Sequence, residues 1–68
     1  MTQAEKIKDY MERFGSISPY EAFRDLGITK LATRVSEMRR EGIVIISDWQ
    51  KNKNRFGESV TYKRYWLG

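Results

Sequence analysis

Two short helical segments separated by only a few residues constrain the fold of this chain most. The first begins at Ser18-Pro19-Tyr20-Glu21, a capping box with proline at the first helical position, where its missing N–H group breaks no hydrogen bond. Ala22, Phe23 and Leu26 predict one apolar face. Gly27 then predicts the end of the helix. A helix of about two turns is stable only when it packs on neighbours.

A second helical pattern follows after a short turn. Thr29 is the expected N-cap, because threonine accepts hydrogen bonds from the first N–H groups of a helix. Leu31, Val35 and Met38 recur at helical spacing and predict the buried face. Gly42 predicts the end of this helix. The two helices are joined by a turn of about three or four residues that contains glycine, which is the spacing of a helix-turn-helix motif.

An amphipathic helix precedes this pair. Thr2 and Glu5 have the spacing of a capping box, and Gly15 predicts the C-terminal end. The apolar residues between them recur at helical spacing and are Ile7, Tyr10, Met11 and Phe14. Ile17, which stands between two serines, is expected to add a short extended segment to a sheet later in the chain.

Beyond Gly42 the apolar spacing changes to about two, the period of a β-strand. Residues 43–51 and 59–67 are rich in β-branched and aromatic side chains, and the polar segment 52–57 is rich in turn-forming residues. The chain is therefore predicted to be one α+β domain over residues 1–68, a winged helix-turn-helix with three helices followed by a two-stranded β-hairpin wing.

The composition excludes several classes of protein. The 68 residues include no cysteine and no histidine, which excludes disulfides, Cys/His zinc sites and nucleophile–histidine pairs. We therefore expect no metal, no cofactor, no small-molecule substrate and no enzymatic activity. No apolar run approaches the roughly 18 residues of a membrane span, and the N-terminus lacks the order of a signal peptide, so a cytoplasmic location is expected.

Basic residues are concentrated in the C-terminal part of the chain. Residues 1–28 hold four basic and five acidic side chains, whereas residues 29–68 hold nine basic and four acidic ones. The net charges are −1 and +5, within a total of +4. This asymmetry indicates an anionic partner, most commonly nucleic acid. A solvated basic surface without a partner is the alternative.

Several short motifs resemble a family of winged helix-turn-helix proteins found in bacteriophages and prophages. The similar segments are 17–22, 26–28, 31–42, 53–58 and 65–67. The last two resemble the wing and the final strand of that family. Trp66 departs from the pattern, because a basic or other polar residue is expected there. The resemblance implies a winged helix-turn-helix fold that binds double-stranded DNA.

The outward face of the third helix is the predicted reading surface, since the second helix of such a motif normally enters the major groove. With the apolar face inward, a rotation of about 100° per residue leaves the polar side chains outward or on one flank. The candidates for DNA contact, in a helix spanning about 30–41, are Lys30, Thr33, Arg34, Ser36, Glu37 and Arg40. For Glu37, a plain surface ion pair with Arg34 is favoured over a role in orienting that arginine for DNA.

The hairpin tip, residues 51–57, carries the other basic candidates. The predicted contacts to the DNA backbone or the minor groove involve Lys51, Lys53, Asn54 and Arg55, with Lys63 across the hairpin. The alternative is a charged turn that protects a sheet edge. Phe56 is expected to anchor the tip against the protein, in preference to inserting into DNA as a wedge.

The hairpin also carries several aromatic residues. They are Trp49, Tyr62, Tyr65 and Trp66, and we expect them chiefly to cover a small core. Stacking on unpaired bases is the alternative, which makes single-stranded nucleic acid a rival ligand.

A phage or prophage transcriptional regulator is the first expectation for the function. An excisionase-like or other architectural protein that bends DNA is the second, and a winged helix used for protein–protein interaction is the third. DNA binding predicts that Lys30, Arg34, Lys53 and Arg55 line one continuous surface.

A homodimer or cooperative assembly on DNA is also expected. A single module of this kind buries at most roughly 600 to 1,000 Å² against DNA, which limits its affinity. Tyr10 and Trp66 are the candidate contacts between copies.

Overall fold

Three helices followed by an antiparallel hairpin form the structure. The computed structural model describes residues 1–68. Its elements are α1 Gln3–Phe14, α2 Pro19–Leu26, α3 Leu31–Arg40, β1 Ile45–Lys53 and β2 Ser59–Leu67. The order of elements and the antiparallel pairing of β1 with β2 confirm the predicted α+β winged helix-turn-helix fold.

Two capping boxes determine where α1 and α2 begin. At α1 the Glu5 N–H donates to Thr2 Oγ1 at 3.1 Å, and the Thr2 N–H donates to Glu5 Oε1 at 3.0 Å. Ser18 and Glu21 repeat the arrangement at α2, at 3.2 and 3.0 Å. Each box satisfies N–H groups that the start of a helix otherwise leaves unpaired. Both boundaries therefore follow from local sequence.

The start of α3 differs from the prediction. Lys30, and not Thr29, is the N-cap residue, and no side chain caps the helix. The reason lies in the turn: Ile28 is 2% exposed, and its N–H donates to the Ala22 carbonyl at 3.0 Å. This buried anchor draws the turn against α2, so the chain needs one further residue before α3 begins.

The first strand also begins later than the prediction of 43–51, since β1 covers Ile45–Lys53. The Ile43 N–H donates to the Met38 carbonyl at 3.1 Å and is thereby committed to closing the end of α3. Gly42, with a φ of +97°, allows the chain to reverse direction there. Strand β1 therefore starts only after the Ile43 N–H has bonded a carbonyl group at the end of α3.

A core of 11 buried residues lies between the helices and the base of the hairpin. All three helices, the two turns that follow α1 and α2, and both strands contribute to it. Its members are Ile7, Tyr10, Met11, Ile17, Ala22, Ile28, Leu31, Val35, Met38, Ile45 and Tyr65. The predicted inward face of α3 is therefore confirmed.

Two phenylalanines predicted on apolar helix faces are exposed instead, Phe14 to 69% and Phe23 to 61%. Phe14 is the last residue of α1 and extends past the core, where its ring centroid lies 4.6 Å from that of Tyr10. In α2, Ala22 and the half-buried Leu26 occupy the inward positions. Phe23 is rotated by about 100° from Ala22 around the helix axis and faces solvent.

The hairpin joins the helices beside the start of α2. Ile17 and Tyr65 exchange backbone hydrogen bonds of 2.8 and 2.9 Å, which confirms the extended segment predicted at Ile17. Next to this bridge, Arg64 Nη1 donates to Glu21 Oε1 and to Ser16 Oγ, both at 2.9 Å. The same Glu21 oxygen accepts the N–H of the α2 capping box. One carboxylate oxygen therefore caps α2 and binds the hairpin.

A second polar link joins α1 to α2. The Tyr10 hydroxyl donates to Asp25 Oδ2 at 2.6 Å, and Arg24 donates to both oxygens of Asp25, at 2.7 and 2.8 Å. The bonds from Arg24, and after them the bond from Tyr10, lower the pKa of Asp25 from 3.8 to about 2. Tyr10 is 8% exposed, so this side chain lies inside the fold and is not available for the dimer contact predicted for it.

A substitution at Gly27 tests the energetic cost of a left-handed backbone conformation, because an added side chain causes no clash there. Its φ is +69°, and a Cβ at this position meets no heavy atom within 4 Å. Gly27→Ala should lower the free energy of unfolding by about 1 kcal/mol through backbone strain alone, as measured by urea denaturation. Gly27→Asn is the matched control and should retain more of the stability, because asparagine tolerates this conformation better. Equal losses in the two variants would contradict the explanation.

Asp25 should make the stability of the fold depend on pH under acid conditions. Its pKa of about 2 in the folded protein lies below the ordinary 3.8, so the ionised carboxylate stabilises the fold above about pH 4 and this contribution is lost as the pH falls towards about 2. Asp25→Asn should remove this part of the pH dependence of the urea midpoint. Glu12→Gln, at an exposed carboxylate outside the ion pairs, should leave it intact. If the urea midpoints of the wild type and of Asp25→Asn changed with pH in parallel, the contacts of Asp25 would not account for the pH dependence.

Candidate nucleic-acid interface

The side of α3 that faces away from the core is polar. Leu31 is 2% exposed, and Val35 and Met38 are each 1% exposed, which fixes the inward side of the helix. The predicted contact residues occupy its other sides and its N-cap. Of these, Lys30, Thr33, Ser36 and Arg40 are exposed, and Arg34 and Glu37 are partly exposed.

Arg34 and Glu37 form the ion pair that their i, i+3 spacing predicts. Arg34 Nη1 lies 2.8 Å from Glu37 Oε1, and the two side chains are 34% and 45% exposed. Arg34 Nε is buried and has no hydrogen-bond partner. The pair holds the guanidinium along the surface of α3, but an ion pair this exposed stabilises the protein by less than about 1 kcal/mol. A bound anion can therefore replace Glu37 with little loss.

Arg39 connects α3 to the first strand, a role that was missed in the sequence. Its Nε and Nη2 donate to the Ile45 carbonyl at 3.1 and 2.8 Å, and Nη2 also lies 3.2 Å from Ser47 Oγ. Arg39 is one turn beyond the buried Val35. That position beside the inward face is the available sequence signal. Arg39 fixes the orientation of α3 relative to the hairpin.

Three lysines of the hairpin lie on the face that forms part of the core at its base, whereas Arg64 lies on the other face. Side chains alternate along a strand, so Lys51 and Lys53 share one face of β1 with the buried Ile45. Lys63 pairs with Trp49 across the hairpin and belongs to the same face. This face is therefore apolar where it meets the helices and basic towards the tip.

Trp49 lies outside the core, contrary to the expectation for the hairpin aromatics. It is 63% exposed, and Lys63 Nζ lies 5.3 Å from the centroid of its ring. Tyr65 is buried at 5% exposure, and Tyr62 and Trp66 are half-buried. Ile45 and Tyr65 are the only buried residues of the two strands, so the core ends near the base of the hairpin. The cation–π contact with Trp49 instead orients the ammonium group of Lys63.

Asn54 organises the tip of the hairpin. Its Oδ1 accepts the N–H groups of Phe56 at 2.9 Å and Glu58 at 3.1 Å, and its Nδ2 donates to Glu58 Oε1 at 3.2 Å. In the backbone, the Gly57 N–H donates to the Asn54 carbonyl at 3.1 Å, and the Asn54 N–H donates to the Glu58 carbonyl at 3.0 Å. The amide that was predicted to contact DNA is thus engaged in shaping the turn.

The predicted anchoring of Phe56 is wrong, since its side chain is 86% exposed. Lys51, Lys53 and Arg55 surround it in the sequence and are also exposed, with no carboxylate within ion-pair distance. The turn geometry held by Asn54 directs Phe56 away from the hairpin. The tip therefore presents an aromatic ring among cations.

No group of three acidic side chains is arranged to hold a metal ion. No helix combines the length and the apolar character needed to cross a membrane.

Comparison with known proteins agrees with the geometry of the helices and the hairpin. A family described as a winged helix-turn-helix domain matches residues 2–68 of the chain. The chain belongs to this family. No curated protein and no solved structure matches it. In a winged helix-turn-helix domain α3 is the recognition helix and the hairpin is the wing, and DNA is the partner that this fold implies.

Arg39→Met should weaken the attachment of the recognition helix to the wing of this winged helix-turn-helix domain. The change removes the hydrogen bonds to Ile45 and Ser47 but keeps an unbranched side chain, so the free energy of unfolding should fall by about 1 to 2 kcal/mol. Arg40→Met is the matched control, at an exposed neighbour with no protein partner, and should change stability by less than about 0.5 kcal/mol. Urea denaturation of both variants checks this. Equal stabilities would mean that Arg39 contributes nothing to the junction.

Proposed function

We propose that this winged helix-turn-helix domain is a sequence-specific binder of double-stranded DNA and acts as a transcriptional regulator of phage or prophage type. The recognition helix enters the major groove, and the wing lies on the backbone or at the minor groove. The resemblance of residues 31–42 and 53–58 to short phage proteins supports the regulatory role.

The distribution of unpaired arginine side chains carries this proposal. Arg13, Arg24 and Arg64, which lie outside the recognition helix and the wing tip, are each within 3.0 Å of a carboxylate oxygen. By contrast, Arg40 and Arg55 are exposed and have no protein partner. Keeping guanidinium groups unpaired on two neighbouring elements suits a polyanionic ligand, whose phosphates replace the missing carboxylates.

The recognition helix supplies the groups that distinguish base pairs. Arginine donates two hydrogen bonds to guanine O6 and N7, and threonine contacts the thymine methyl group, so Arg34, Arg40 and Thr33 suit base readout. Ser36 bonds either type of base pair. Glu37 accepts from cytosine N4 or keeps Arg34 in position when that arginine faces guanine.

The wing supplies contacts that carry less sequence information. Lys51, Lys53 and Arg55 lie along its tip, and Lys63 is held over Trp49 on the same face. Lysine contacts phosphate mainly as a point charge, which contributes affinity without sequence preference. The wing therefore contributes most of the salt-dependent affinity, and the recognition helix most of the selectivity.

Assembly of more than one copy on DNA belongs to this proposal. One module buries roughly 600 to 1,000 Å² against DNA, so neighbouring copies raise affinity and lengthen the sequence that is read. Trp66 pairs with Ile46 across the hairpin, and Ile46 is 44% exposed. This apolar pair on the outer face of the hairpin is the proposed contact between copies.

The first test is a fluorescence titration of the protein with a random-sequence duplex and with a matched single strand, each at two salt concentrations. Binding that favours the duplex and weakens with salt supports the proposal, and site selection then identifies the preferred sequence. Preference for the single strand would assign the exposed aromatics to base stacking. Absence of binding to either at low salt would favour a role in protein–protein interaction.

Arg34→Ala and Lys53→Ala should weaken DNA binding in different ways. Arg34→Ala should weaken binding to the selected sequence by about 1 to 3 kcal/mol and relax its selectivity, because a base contact is lost. Lys53→Ala should weaken all duplexes similarly and reduce the salt slope by about one. Lys8→Ala is the control, since it removes an exposed charge from α1. If Lys8→Ala reproduced the effect of Lys53→Ala, the wing would contribute only net charge.

A further inference from the structure

We propose that Phe56 is a DNA wedge: the wing tip places its ring in the minor groove and inserts it between two base pairs, which bends the duplex. The inference rests on the proposed binding of double-stranded DNA. It adds a specific ligand contact and a deformation of the DNA to that function.

The exposure of Phe56 is unusual within this chain. At 86% it is the most exposed of the large apolar side chains. Three of the four other exposed aromatic rings have partners in the protein: Phe14 lies against Tyr10, and cations lie over Tyr20 and Trp49. No such contact involves Phe56 or Phe23, and Phe56 is the more exposed of these two rings. A turn that served only to close the hairpin would be better served by a polar side chain at this position.

The backbone that carries Phe56 is held in place. The Phe56 N–H donates to Asn54 Oδ1 at 2.9 Å, and the Gly57 N–H donates to the Asn54 carbonyl at 3.1 Å. Gly57 has a φ of +76°, a conformation that glycine adopts without strain. The ring is therefore presented from an ordered turn, so that less conformational entropy is lost when it enters a ligand.

The surroundings of the ring match the minor groove. Residues 51–57 hold three basic side chains and no acidic one. The nearest carboxylate in sequence, Glu58, accepts a hydrogen bond from Asn54 Nδ2 at 3.2 Å. Cations that flank an apolar wedge can bind the phosphates on both sides of a narrow groove while the ring unstacks a base step.

The wing is long enough to reach the adjacent groove. Ser47 is half-buried, and every residue from Asp48 to Val60 is exposed. At about 3.3 Å per residue the strand from Ser47 to the tip extends about 25 Å. The centres of neighbouring grooves are separated by about 17 Å, which is half of a helical turn. The overall extents of 39 × 21 × 21 Å agree with such a projecting wing.

The test uses the full chain and a mixed-sequence duplex that contains several TA steps, which are easily unstacked. Adenines at these steps are replaced by 2-aminopurine, whose fluorescence rises on unstacking, and a fluorophore pair at the duplex ends reports bending. Affinity is measured separately by anisotropy. The wild type should raise the 2-aminopurine fluorescence and bring the duplex ends closer together.

Phe56→Ala should abolish both signals and weaken binding by about tenfold, as expected for the loss of one stacked aromatic ring. Phe56→Leu keeps an apolar wedge and should retain most of the bend. Phe23→Ala removes another exposed ring without a partner, from α2 and 61% exposed, and should bind and bend DNA as the wild type does.

The outcomes separate this inference from the proposed function. Bending and fluorescence that are unchanged in Phe56→Ala, in a protein that still binds the duplex, would overturn the wedge and leave DNA binding intact. A wild type that binds no duplex would overturn both. Loss of the signals in Phe23→Ala as well would also overturn the wedge, because the effect would not be specific to the tip.

Discussion

The carboxylate of Glu21 holds the two parts of this domain together. One of its oxygens accepts the Ser18 N–H at the start of α2 and also accepts from Arg64 of the hairpin. Beside it, Ile17 and Tyr65 exchange backbone hydrogen bonds. The group that begins the helix-turn-helix therefore also positions the second strand. Two residues of the helices therefore position the wing. Glu21 holds β2, and Arg39 of the recognition helix holds β1.

The parts of the fold that could be predicted from sequence are those that local chemistry determines. The capping boxes at Thr2 and Ser18 and the left-handed Gly27 act over three or four residues, and the structure contains them as expected. The wrong predictions concern positions that are determined by contacts outside this short range. Thr29 is not the N-cap residue, because the burial of Ile28 determines the path of the turn. A window of neighbouring residues holds no information about that burial.

The candidate interface was predictable to a similar degree. The periodicity of α3 identified its outward face correctly, because a helix buries one side regularly. It did not identify Arg39, whose acceptor belongs to a strand that follows a turn. The environment of Phe56 also could not be read from the sequence, since an aromatic residue in a hairpin turn suits an anchor as well as a free ring. Only the packing around it distinguishes the two.

Side chains alternate between the two faces of the hairpin, and this alternation limits how the length of the wing can change. Ile45 in the core and Lys51 and Lys53 at the tip lie on one face of the same strand. Inserting one residue between Ser47 and Lys51 would turn the basic side chains to the opposite face, while inserting two would keep them in place. Over evolutionary time, wings of this type should therefore lengthen or shorten in steps of two residues per strand, and the reach of the domain along DNA should vary in the same discrete steps.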